Sequence, residues 1–195
     1  MNNGYTHTIQ RGDGELTLTV SQPPVTLLVL GIGNLLLGDE GVGVHAAQKL
    51  QRVPRLEGVE VLEVGTAILE ALPALEEADS VILLDAVQAG GAPGSIYRFA
   101  LDRAQGNPCI ASMHGFDIFR VLTLTRRQTP LQVVVLGVEP ARISWSIFLS
   151  PPVTRAIPGL LAAVEAEIDH LRRPGAVPTP RSPKGSNAHV SGHPR

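Results

Sequence analysis

Leu30-Gly31-Ile32-Gly33-Asn34-Leu35-Leu36-Leu37-Gly38-Asp39-Glu40-Gly41-Val42-Gly43 is the stretch on which the fold turns. Ahead of it, Val25 to Leu30 runs apolar without polar alternation, as expected of a strand buried on both faces. Behind it, Val42 to Val53 follows helical spacing. A glycine-rich loop thus carries a buried strand into a helix, which is how a parallel α/β unit begins. Gly31-x-Gly33 invites a dinucleotide reading, because glycines let a backbone approach a pyrophosphate at a helix N-terminus. The third glycine of that fingerprint is missing, Leu36 stands in the loop, and Asp39 and Glu40 would repel a pyrophosphate. The structural alternative is an acidic helix start with Asp39 as N-cap, which leaves the Leu-rich loop unexplained.

Working outward, further β-branched runs alternate with helical patterns. Val59 to Glu63, Ser80 to Leu84, Ser95 to Phe99 and Leu131 to Leu136 complete five strands with Val25 to Leu30. Helices fit Val42 to Val53, Ala67 to Ala78 with a kink at Pro73, Gly115 to Thr125, and Pro152 to Arg173 with Pro158 trimming or bending the first turn. The expected fold is α/β: a twisted, mostly parallel five-stranded sheet flanked by helices on both faces. In such sheets ligands bind outside the carboxyl ends of the strands.

The chain has 195 residues, enough for one domain. Residues 25–173 are read as that domain, 1–24 as a flexible N-terminal arm with room for one edge strand, and 174–195 as a disordered tail. From Pro174 onward there are five prolines and no Leu, Ile, Phe, Tyr, Trp or Met, so little surface is available to offset the entropy of ordering. Sixteen Lys and Arg against eighteen Asp and Glu give a net charge of −2, which argues against a nucleic-acid partner. No apolar run approaches the ~20 residues of a membrane span. The single Cys109 excludes an internal disulfide and a thiolate cage, and no apolar leader segment opens the sequence, so a cytoplasmic protein is expected.

Three residues stand out chemically. Glu40 opens the helix after the first strand of the domain. Asp85 follows Val81-Ile82-Leu83-Leu84 and therefore lies at the carboxyl edge of a buried strand, where the alternative role is a loop cap. His114 precedes Gly115 at a helix start; taken alone, such a residue is more often a helix cap. Together they offer two oxygens and one nitrogen from three connections of one sheet, a set that suits a borderline divalent ion with open positions. Cys109 lacks a nucleophile signature, His45 turns off the Glu40 face of its helix and is read as a surface residue, and Trp145 is either an exposed anchor or a cover for the core edge.

The order Gly31-Ile32-Gly33-Asn34, Gly38-Asp39-Glu40-Gly41, Gly65-Thr66-Ala67, Leu84-Asp85-Ala86, Ser112-Met113-His114 and Leu136-Gly137-Val138-Glu139-Pro140 resembles the nickel-iron hydrogenase maturation endopeptidases. The likeness runs from about Thr26 to Arg173, with Glu63 standing where relatives often have Asp followed by Gly. The resemblance implies a metal bound by Glu40, Asp85 and His114, with nickel supplied by the substrate. It further implies an aspartic-type hydrolase whose partner is the hydrogenase large-subunit precursor and which removes that precursor's C-terminal extension after nickel insertion. The alternative is a checkpoint protein that docks on the same nickel-loaded precursor without cutting it. A monomer is expected, and the sequence assigns no general base.

Overall fold

The computed structural model describes residues 4–11, 14–21, 26–53, 58–100, 115–126 and 131–173. Its elements in chain order are β1 Gly4–Arg11, β2 Gly14–Ser21, β3 Leu27–Ile32, α1 Val42–Leu50, β4 Val59–Gly65, α2 Leu72–Glu77, β5 Ser80–Ala86, β6 Ile96–Ala100, α3 Gly115–Leu124, β7 Gln132–Val138 and α4 Pro151–Leu171. Short 3-10 turns at Asp39–Gly41 and Ile68–Ala71 lead into α1 and α2. The tail from residue 174 lies outside the described residues, as does Cys109.

The main sheet has the order β4-β3-β5-β7-β6. β4 and β5 both pair parallel to β3, β7 pairs parallel to β5, and β6 alone runs antiparallel, against β7. Every residue of β3 and β5 is buried, which explains why their sequences show no polar alternation. Leu27, Val29, Ile82, Leu84 and Leu136 face α1 and α4 in one core cluster. Leu28, Leu30, Val81, Leu83 and Val135 join Ile68, Leu75 and Val121 in the other, so helices cover both faces. The chain leaves β3 for β4 on one side and returns to β5 on the other. The carboxyl ends of β3 and β5 therefore flank the point where strand order reverses, the usual ligand crevice of an open α/β sheet.

Three details depart from the sequence reading. The continuous helix expected over 67–78 is instead the 3-10 turn Ile68–Ala71 followed by α2, and Pro73 does not kink it. Pro73 sits in the first turn of α2, where a missing N–H costs nothing. Pro158 does not trim α4, which begins at Pro151 and carries Pro158 in its interior. One ladder bond is lost there, and the burial of Val153, Ile157, Leu160, Val164 and Ile168 holds the helix together. Within the stretch read as an arm, β1 and β2 pair antiparallel from Gly4↔Ser21 to Arg11↔Gly14, a hairpin rather than one edge strand.

A bidentate ion pair locks the antiparallel edge onto α4. Arg98 donates from Nε and Nη2 to the buried Glu167 carboxylate at 2.5 and 2.7 Å.

Candidate active site at the strand-order reversal

Glu40 and Asp85 come to the same end of the sheet. Glu40 lies in the 3-10 turn after β3 and is 2% exposed; Asp85 is the penultimate residue of β5 and is 1% exposed. The turn Asp39–Gly41 packs directly against β5. Its approach depends on Gly43, where a Cβ would collide with the backbone carbonyls of Leu84 and Ile32. Gly33 serves the same purpose on the other side: its φ of 128° and its contact with the Glu40 carbonyl exclude a side chain. The glycines that suggested a dinucleotide loop instead bring an acidic turn onto two strand ends. Asp85 accepts the N–H of Ala86 at 2.8 Å, which aims the carboxylate at its own strand end.

Asp39 has a role the sequence reading missed. It makes no capping bond to α1. Its Oδ1 accepts the N–H of Ser150 at 2.6 Å, and its Oδ2 accepts those of Ala141 and Arg142 at 2.9 and 3.2 Å. These bonds tie the Glu40 turn to the segment between β7 and α4. The two segments also pair through backbone: Gly38 donates to the Ser146 carbonyl at 2.7 Å and Ser146 to the Leu36 carbonyl at 2.9 Å. The partners lie more than 100 positions from Asp39, so no local motif could have indicated them.

Glu139 is a second buried carboxylate with a positioning role. One oxygen accepts the Tyr97 hydroxyl at 2.7 Å and the N–H groups of Ala89 and Gly91 at 2.9 and 3.1 Å. Burial pushes the Glu139 carboxyl up, but the hydrogen bonds from Tyr97, Ala89, Gly91 and Gly90 outweigh it and hold the group below the usual glutamate range. Burial, then Glu139 itself, raises the Tyr97 phenol. The β5–β6 connection is thereby fastened to the end of β7.

Of the other residues singled out, His114 lies outside the described residues. Among the described residues no three His, Cys, Asp or Glu side chains converge as a metal site, so the part of the candidate set in view is the two carboxylates. Anionic oxygens are suitable donors for a divalent ion. His45 is not a surface residue: it is half-buried on α1, its Nε2 has no hydrogen-bond partner, and burial followed by the Lys49 charge lowers its pKa. α1 lies close over the sheet, which encloses even a side chain turned away from Glu40. Glu63 is exposed on β4. Trp145 resolves as an exposed residue, 83% accessible.

A family model described as hydrogenase maturation protease (HycI) matches residues 44–167, a span that includes Asp85 and position 114. The hydrogenase 2 maturation protease of Escherichia coli K12 is 33% identical over 163 residues, covering 80% of this chain and 96% of that protein. The hydrogenase expression/formation protein HupD of Rhodobacter capsulatus is 45% identical over 151 residues, 74% of this chain and 72% of its own length. Among solved structures, the hydrogenase maturating endopeptidase HybD from E. coli aligns with a TM-score of 0.65 at 31% identity, covering 74% of this chain and 93% of that one.

Proposed function

Because the chain belongs to the hydrogenase maturation protease family, we propose that it is an endopeptidase that removes the C-terminal extension of a nickel-iron hydrogenase large-subunit precursor after nickel insertion. The observation that carries this reading is the pair of buried carboxylates at one end of the sheet, Glu40 in the turn that follows β3 and Asp85 near the end of the adjacent parallel strand β5. Carboxylate oxygens brought to one crevice are suitable donors for a divalent ion. In this reading the substrate carries that ion in, with His114 as the third donor.

Nickel in this reading belongs to the precursor and serves as the recognition element. It fixes where the substrate chain lies, and such positioning can contribute ~7–11 kcal/mol to barrier lowering in well-oriented cases. The protein's contribution is a preformed crevice whose acidic turn is clamped by Asp39 and whose walls are fastened by Glu139. Peptide-bond hydrolysis is of the aspartic type, with water rather than a side chain as nucleophile. In this reading the protein acts as a monomer in the cytoplasm. Among the described residues no helix is long and apolar enough to cross a membrane.

The test is turnover. A small amount of the protein is mixed with excess nickel-loaded precursor, and the precursor is followed by intact mass. Loss of one C-terminal peptide from many precursor molecules per protein molecule is the expected outcome. Stoichiometric binding with no change in precursor mass would establish the non-cleaving checkpoint instead.

A further inference from the structure

Beside the candidate site lies a group of large apolar side chains that the core does not use. Trp145, Phe148, Ile147 and Leu36 are 83, 76, 61 and 52% exposed. Leu36 belongs to the loop that leads into Glu40, and the other three belong to the segment that Asp39 clamps. Backbone bonds between Leu36, Gly38 and Ser146 place the two halves of the patch side by side.

The exposure is built into an ordered surface. Phe148 donates its N–H to Ser146 Oγ at 3.0 Å, Ser146 Oγ donates back to the Phe148 carbonyl at 2.9 Å, and Leu36 donates its N–H to Asn34 Oδ1 at 2.9 Å. Loops held in this way keep their apolar side chains in water at a cost that a partner can relieve. Arg142 is the only charged residue between Ala141 and Ser150, too few cations for an anionic membrane surface. A rigid Trp and Phe with aliphatic neighbours are instead the composition of a protein-binding hot spot.

We propose that this patch is the docking surface for an apolar segment of the large-subunit precursor that flanks the cleaved bond. The inference rests on the function proposed above. The patch is continuous with the candidate site: the loop that bears Glu40 and the segment that bears Trp145 and Phe148 form one hydrogen-bonded unit, which puts the patch within reach of a chain bound at Glu40. An endopeptidase that selects one bond in one protein needs binding energy from parts of the substrate remote from that bond.

The experiment uses the full chain with Trp145→Ser and Phe148→Ser combined, and a control variant, Leu124→Ser. Leu124 is 56% exposed at the end of α3 that leads into β7, hence at the opposite end of the sheet. Processing of nickel-loaded precursor is followed over a range of precursor concentrations, with oligomeric state and melting temperature measured alongside. The double variant is expected to raise KM by about tenfold or more while kcat stays within about twofold and the melting temperature is unchanged; the control matches the parent. An unchanged KM in the double variant, with a parent that processes normally, overturns the docking surface and leaves the proposed function standing. A parent that sediments as a dimer, with the double variant a monomer of unchanged KM, also overturns it, since a second copy then covers the patch. A parent that binds precursor without shortening it defeats the proposed function instead; the patch is then judged by whether the double variant loses that binding by about tenfold, and retained binding overturns it.

Discussion

The Asp39 carboxylate accepts the backbone N–H of Ser150 at 2.6 Å across 111 residues of sequence. Through this bond and those from Ala141 and Arg142, the residue next to Glu40 fastens the acidic turn to the start of α4. A single buried side chain thus sets both the position of a candidate ligand and the conformation of the apolar patch.

Asp39→Asn replaces one acceptor oxygen with an amide donor that faces backbone N–H groups. A buried donor set against donors loses its hydrogen bonds and keeps the desolvation cost, about 1–3 kcal/mol. The expected result is a variant that folds with a lower midpoint in urea and processes precursor more slowly. Unchanged stability would show that the clamp contributes nothing.

Glu40→Gln, Asp85→Asn and His114→Ala should each reduce precursor processing by about a hundredfold or more, the scale of a mispositioned reacting group. The two amide substitutions keep side-chain volume, so circular dichroism should be unchanged. Full-rate processing by any one of them would remove that residue from the site.

Glu139 ties the stability of the fold to acid. Its folded-state pKa is depressed, so it contributes stability above the ordinary glutamate pKa of about 4.3, and that contribution is lost as pH falls through the folded value. Melting curves of the parent and of Glu139→Gln should therefore differ most near neutrality and converge as the pH drops well below 4. A constant difference across that range would assign the Glu139 effect to packing alone.

Gly43→Ala should destabilise the fold, because the added Cβ meets the carbonyls of Leu84 and Ile32, which belong to strand ends and cannot yield easily. Overpacking of this kind costs about 1–3 kcal/mol. The turn bearing Glu40 should lift from β5 at the same time, so loss of processing should exceed what the loss of stability explains. Denaturant titration paired with a processing assay separates the two.

The five strands were legible because their apolar runs are short and bounded by polar or glycine residues. Asp85 was legible for the same reason: an acid that directly follows a buried run stands at the strand's end. Glu40 was legible as an acid in the glycine-rich connection between β3 and α1. Asp39 looked like an N-cap because local sequence shows only the helix that follows it, while its hydrogen-bond partners are brought in by β7 and α4. The tie between Tyr97 and Glu139 was hidden in the same way, by 42 residues of separation. The antiparallel direction of β6 has no signature in composition, since β6 pairs with a strand that comes later in the chain. His45 was misjudged because the spacing from Glu40 gives the side chain's direction on α1 and says nothing of how closely the helix lies against the sheet.

If Glu40, Asp85 and His114 read nickel presented by the substrate, cleavage of the same precursor prepared with and without nickel decides it. Three donors leave an ion under-coordinated, so the isolated protein should bind nickel only loosely in a direct titration. The nickel-loaded precursor should be shortened and the nickel-free precursor left intact over the same interval. Tight nickel binding by the isolated protein, together with equal cleavage of both precursors, would contradict the account and mark the protein as a metallopeptidase that carries its own ion.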